Sequence, residues 1–163
     1  MKRDSPGAAY RAAAIRLAAR DRTRAELLRL LTAKGFSRAD SEVALDRLNE
    51  EGYLDDRRFA HTWARSRLRT KPVGPHRLRQ ELEAKGVEDD LVREVIKDIY
   101  EEGEEAAAQR AMARKLSGLA HLPAPSRAGR VARFLKRRGF STEVIRRLLR
   151  EGRQVQQSNE CSG

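Results

Sequence analysis

The sequence predicts an all-α protein built as three tandem three-helix repeats forming an elongated, curved array. Three observations predict it. Ala, Arg, Leu and Glu dominate and aromatics are only 5%, a composition of helix formers. Apolar residues recur at three- and four-residue spacing between isolated glycines, the period of a helix face. The helix-ending glycines Gly35, Gly86 and Gly139 stand 51 and 53 residues apart in matching settings: Lys34-Gly35-Phe36, Lys85-Gly86-Val87 and Arg138-Gly139-Phe140. Leu31, Leu82 and Leu135 precede these glycines by one turn. Leu27, Leu78 and Val131 precede them by two. A unit of about 50 residues buries little alone, so neighbouring units must pack on one another.

Residues 1–7 are polar and contain Pro6 and Gly7, so a disordered leader is expected. A helix follows from Ala8 to Arg20, with Ala12, Ile15 and Ala19 on one face. Thr23 and Glu26 have the spacing of a capping box. They open a second helix carrying Leu27, Leu28, Leu30 and Leu31. Ser37 caps a third, with Val43, Leu45 and Leu48, which ends at Gly52. Ser41 and Ala44 stand where the later repeats have larger residues, so looser packing is expected there.

Gly52-Tyr53-Leu54-Asp55-Asp56-Arg57-Arg58-Phe59-Ala60 reads as a hinge between helices. Gly52 suits the left-handed turn past a helix end. Tyr53 and Leu54 are apolar in a loop and are expected to be buried. Asp55 is placed to cap the next helix, and Asp56 to complement its dipole. That helix, about 56–69, carries Phe59, Ala60, Trp63, Ala64 and Leu68; Trp63 reads as core.

Lys71 to Pro75 is a turn, and Pro75 suits the first helical position. A fifth helix passes Leu78 and Leu82 to Gly86. A sixth carries Leu91, Val92, Val95, Ile96 and Ile99. A seventh, about 104–117, is Ala-rich. After a loop from Gly118 to Pro125, Ser126 is expected to cap an eighth helix with Val131, Phe134 and Leu135. Ser141 caps a ninth, with Val144, Ile145, Leu148 and Leu149. The expected organisation is a leader 1–7, repeats 8–53, 54–102 and 103–152, and a disordered tail 153–163.

The chain of 163 residues carries a net charge of +11, which favours a polyanionic partner, nucleic acid first. The charge is uneven: +3 over residues 1–54, zero over 55–102 and +8 over 103–163. One basic zone holds Arg65, Arg67, Arg69, Lys71, Arg77 and Arg79. A second holds Arg127, Arg130, Arg133, Lys136, Arg137, Arg138, Arg146, Arg147 and Arg150. Arginine presents a planar fork of donors to phosphate. A solvated helix face is the plainer explanation of such runs. Aromatic residues do not interleave with the charges, so sequence-independent, salt-sensitive contact with DNA, single- or double-stranded, is expected rather than base reading. An acidic stretch (Glu88, Asp89, Asp90, Glu94, Asp98, Glu101 and Glu102) separates the zones and would repel DNA.

Nothing points to catalysis. His61, His76 and His121 lack metal-ligand spacing, and no glycine-rich phosphate loop is present. Neither cofactor nor metal is expected. The lone Cys161 has no internal disulfide partner. The sequence has no apolar run long enough for a transmembrane helix and no signal-peptide core, so a cytoplasmic protein, working as a monomer, is expected.

The hinge motif resembles the signature of the RecX family. Arg22-Thr23-x-x-Glu26-Leu27 with Lys34-Gly35 fits that family's first repeat. Gly74-Pro75-x-Arg77-Leu78-x-x-Glu81-Leu82-x-x-Lys85-Gly86 fits the second, and Phe134-Leu135-x-x-Arg138-Gly139-Phe140-Ser141 the third. The resemblance spans about residues 10–150. Leu78 and Val87 stand where the family often has Ile. The resemblance implies a regulator of the RecA recombinase that lies in the groove of the RecA–DNA filament. It would suppress filament growth, ATP hydrolysis and strand exchange. Two other classes fit the residues: a sequence-specific helix-turn-helix repressor, and a helical-repeat scaffold for acidic proteins.

Overall fold

The computed structural model describes residues 5–160, with side chains described over 5–152. Among the described residues there are nine helices and no strand. They are α1 Pro6–Ala19, α2 Arg24–Ala33, α3 Arg38–Glu50, α4 Asp56–Thr70, α5 Pro75–Ala84, α6 Asp89–Ile99, α7 Glu105–Ser117, α8 Ala124–Arg137 and α9 Thr142–Glu160. They follow one another as tandem three-helix segments. Five glycines take positive φ at helix ends or loops: Gly35, Gly52, Gly86, Gly103 and Gly139. The three glycines that register the repeat are among them.

Several expectations need correction. The first helix starts at Pro6, so Pro6 and Gly7 are not leader. Ser5 accepts a hydrogen bond from the Ala8 N–H, and Pro6 occupies the first turn, where its missing N–H costs nothing. The rest of the expected leader, residues 1–4, lies outside the described residues. The last helix does not stop at Gly152; it runs to Glu160, through Arg, Gln and Glu, all good helix formers. The remainder of the expected tail, 161–163, lies outside the described residues. The eighth helix begins at Ala124 rather than after Ser126; Pro123 precedes it and Pro125 lies in its first turn.

Two compact units divide the chain. One comprises Met1–Trp63 with Glu81–Val95, the other Ala64–Gln80 with Ile96–Gly163. The middle segment, α4 to α6, thus contributes to both.

In the N-terminal unit the core is Ala9, Ala13, Leu27, Leu31, Ala44, Leu45, Leu48 and Leu54. All five of these leucines are fully out of water (Leu27, Leu45, Leu48) or nearly so (Leu31, Leu54), each worth about 1.5–3 kcal/mol of transfer free energy. The α1 stripe is Ala9 and Ala13; Ile15, expected on that face, is 70% exposed. Ser41 and Ala44 are not loosely packed but fully buried. Small residues on α1 (Ala9, Ala13) and on α3 (Ser41, Ala44) are buried in this unit. The Ser41 hydroxyl is satisfied by donating to the Ser37 carbonyl at 2.8 Å. Val43 is exposed at 55%.

The hinge splits its apolar pair. Leu54 is buried, but Tyr53 is 62% exposed. Both main-chain N–H groups fold back on the Leu48 carbonyl, at 2.9 and 3.0 Å, so the side chains of successive residues diverge.

The C-terminal unit has its own core of Ala107, Ala108, Ala111, Leu119, Val131, Leu135, Phe140, Ile145 and Leu148. Leu68 of α4 and Tyr100 pack against it.

The same joint is built once in each unit. In the N-terminal unit, the N-cap Thr23 of α2 donates its hydroxyl to the Lys85 carbonyl at 2.5 Å. A Cβ on Gly86 would lie 2.3 Å from the Ala25 Cβ. In the C-terminal unit, Gly74 stands where Thr23 stands one repeat earlier. Its main-chain N–H donates to the Arg138 carbonyl at 2.8 Å. A Cβ on Gly139 would lie 2.3 Å from the Arg77 nitrogen. In both joints the start of a segment's second helix is seated on the glycine that ends the next segment's second helix. Only a residue without a Cβ allows so close an approach.

Candidate nucleic-acid interface

The fifteen basic residues of the two zones all fall in the C-terminal unit. The joint at Gly74 and Gly139 brings part of the two zones together. It sets the Lys71–Pro75 turn against the C-terminal end of α8, which carries Lys136, Arg137 and Arg138.

Beside this joint lies a notch of about 220 Å³. Lys71 of the first zone and Arg138 of the second both line it. So do Arg114 and Lys115 from the last turn of α7, with Thr70, Pro72, Ala111 and Phe134. Among the described residues no carboxylate lines it. Three of these four cations are held. Arg114 donates to the Thr70 carbonyl at 2.6 Å and to the Arg69 carbonyl at 3.2 Å. Those carbonyls close α4, where helix geometry leaves acceptors open and the dipole favours a cation. Lys115 Nζ stands 5.6 Å from the Phe134 ring centroid, and the Arg138 guanidinium 5.1 Å from it, within cation–π range. Two like charges are thereby kept in place near each other by one aromatic ring.

The other basic residues differ in how far they are committed. Arg65, Arg69, Arg130, Arg133, Lys136, Arg137 and Arg146 are exposed. Arg147 is spent locally: it pairs with Glu105 at 3.0 Å and with Glu143 at 3.2 Å. Arg67, Arg77 and Arg79 also have partners. Arg146 and Arg150 share a second cleft with Arg147, Glu143 and Glu151, so that surface carries both signs.

Arg114 and Lys115 are not among the expected contacts. Two cations in the last turn of an Ala-rich helix are ordinary dipole partners, and only folding brings them to Lys71 and Arg138.

The acidic helix is partly neutralised within the N-terminal unit. Glu94 takes both nitrogens of the Arg57 fork, one at 2.9 Å, and Asp90 pairs with Arg93. The Asp55–Asp56 pair has two capping tasks. Asp55 accepts from the Arg58 N–H of its own helix at 2.8 Å. Asp56 turns instead to the start of α2 and accepts from the Arg24 N–H at 2.8 Å. Burial holds the Asp56 carboxyl above the usual aspartate range, although the Arg24 N–H and charge pull it down.

Trp63 is half-buried rather than central core. Its indole N–H donates to Glu81 at 3.2 Å, and Lys85 Nζ lies 4.1 Å from its ring centroid. The Lys85 ammonium also reaches Glu26 at 3.4 Å.

Residues 55–96 match the family model described as RecX, second three-helix domain, and residues 102–149 match that described as RecX, third three-helix domain. The chain is 41% identical over 140 residues to the regulatory protein RecX of Halorhodospira halophila, covering 85% of this chain and 84% of that one. It is 37% identical over 146 residues to the regulatory protein RecX of Pseudomonas syringae, covering 90% of this chain and 92% of that one. The crystal structure of RecX from Lactobacillus salivarius superposes with a TM-score of 0.79 over 90% of this chain and 95% of that one. At 18% identity that likeness speaks for the fold.

Proposed function

The chain belongs to the RecX family, and from that premise we propose that it regulates the RecA recombinase. It binds the RecA–DNA filament in its helical groove and restrains filament extension, ATP hydrolysis and strand exchange. It acts by occupying the filament, not by catalysis, as a single chain in the cytoplasm. Its modules are three three-helix repeats, α1–α3, α4–α6 and α7–α9.

The observation that carries this reading is the gathering of cations in one unit. Lys71, Arg114, Lys115 and Arg138 share a notch that no carboxylate of the described residues lines, and Lys136 and Arg137 stand exposed beside it. A polyanionic polymer is the partner that such a surface fits. Backbone contact of this kind positions a protein without reading sequence, which suits a filament that forms on any DNA.

The test is RecA ATPase on single-stranded DNA with increasing amounts of this protein. Progressive inhibition, weakening as salt rises, is expected. Undiminished ATPase at saturating protein overturns the reading.

A further inference from the structure

We propose that the notch between Lys71, Arg114, Lys115 and Arg138 is a seat for one phosphodiester of a DNA strand, so that these residues touch nucleic acid and not the recombinase. This deepens the reading above and rests on it only for the biological setting; the binding itself is measured without recombinase.

Three features make the notch a seat rather than a charged patch. Its size, about 220 Å³, admits a phosphate group. Its donors come from three separate elements: the α4–α5 turn (Lys71), the end of α7 (Arg114, Lys115) and the end of α8 (Arg138). Donors on different elements surround an anion, whereas donors on one helix fan outward. Three of its four cations are also fixed before any ligand arrives. Arg114 is anchored on the Thr70 and Arg69 carbonyls, and Lys115 and Arg138 are held over Phe134. Fixed donors lose little side-chain freedom when they bind, and that raises affinity. Among the described residues no carboxylate lines the notch, so none of them repels an anion there.

The notch sits beside the joint that Gly74 and Gly139 form. Gly74 N–H to Arg138 carbonyl, and His76 N–H to Gly139 carbonyl at 3.3 Å, tie the turn to the end of α8. The sugar-phosphate chain would continue past the seat onto exposed Arg69, Lys136 and Arg137.

The experiment measures binding of a fluorescein-labelled oligo(dT) by anisotropy across a salt series. The wild-type chain is compared with Lys71→Gln/Lys115→Gln. A control, Arg146→Gln/Arg150→Gln, removes the same charge from the mixed cleft on α9. Circular dichroism and the thermal midpoint report folding of each variant. For the notch pair, log affinity against log salt should flatten by about 0.7, the one phosphate contact that the seat makes on a single strand. The control should flatten it by less than half of that. Equal flattening in both variants, or none in the notch pair, overturns the seat.

Two further arms identify the ligand. Inorganic phosphate and oligo(dT) should each protect Lys115 from acetylation in the folded wild-type chain, the oligonucleotide at far lower concentration. Protection by poly-glutamate at the same charge concentration as oligo(dT) would overturn the assignment in favour of an acidic protein surface. Protection by inorganic phosphate alone would overturn it in favour of a free anion. If the notch pair binds DNA poorly while the wild-type chain leaves RecA ATPase untouched, the seat stands and the regulatory reading falls. If the wild-type chain inhibits and the notch pair binds DNA normally, the reverse holds.

Discussion

Asp56 Oδ1 accepts the main-chain N–H of Arg24 at 2.8 Å, across 32 residues of sequence. The aspartate that begins α4 thus caps the start of α2. It leaves its own helix to Asp55, and it ties the hinge signature to the first segment. Removing the acceptor orphans a helix N–H, so Asp56→Ala should cost about 1 kcal/mol in urea unfolding. Asp56→Asn keeps an oxygen acceptor and should cost much less.

The pH dependence of this site has a definite sign. Burial raises the folded Asp56 carboxyl above its unfolded value, taken as 3.8. The folded chain therefore binds this proton more readily than the unfolded chain. The ionised group is a penalty above its raised folded value, and the penalty is relieved as pH falls through that value toward 3.8. Relative to Asp56→Asn, the wild-type chain should gain stability as pH drops through that window. Parallel urea midpoints for the two proteins across it would contradict this.

The glycines should rank by what surrounds them. Gly35 has φ +90° and nothing within 4 Å of the place an added Cβ would take, so Gly35→Ala meets backbone strain alone, about 1 kcal/mol. Gly139→Ala adds a contact of 2.3 Å to the Arg77 nitrogen, and Gly74→Ala, without positive φ, a contact of 2.3 Å to the Gly139 carbonyl oxygen. Both should cost more than Gly35→Ala, by thermal or urea unfolding. Equal losses at the three positions would deny the tight joint.

Lys85 serves three partners at once: Glu26, Trp63 and, at 5.5 Å from its ring centroid, Phe59. Its side chain and that of Glu26 are each only 16% exposed. Lys85→Met keeps the stem but leaves Glu26 without its cation. A loss of about 1–2 kcal/mol is expected, together with a change in the emission of Trp63, the single tryptophan. Lys85→Arg should restore most of the stability.

Charge reversal at Lys136, Arg137 and Arg138 together should weaken DNA binding and flatten its salt dependence. Arg147→Gln should do much less, because Arg147 already pairs with Glu105 and Glu143. Salt-titrated oligonucleotide binding by the two variants checks the ordering.

Local chemistry makes much of the fold legible in advance. Thr23 and Glu26 form the capping box that their spacing predicts, Asp55 caps α4, and Gly35, Gly86 and Gly139 turn left-handed where the repeat places them. Each depends on residues a few positions apart, so sequence suffices. Tyr53 departs from expectation because apolar character says nothing about direction in a turn. Ile15 and Val43 depart from it because helical period marks several faces, and contact picks one. The ends of α1 and α9 differ because Pro6 and a polar run read as helix breakers only when caps and propensity are ignored.

The candidate interface is half legible. Lys71 and Arg138 can be named as basic residues, but their meeting cannot, since 67 positions separate them. The sequence by itself determined the helices, their glycine stops, the threefold repeat and the basic character of the chain, because those rest on propensity, period and formal charge. Only the tertiary structure decided that Gly74 would dock on Arg138 and Gly139, that Asp56 would reach Arg24, and that four cations from three elements would share one notch. Such pairings depend on backbone approach at a distance of a few ångströms, and no local pattern carries that information.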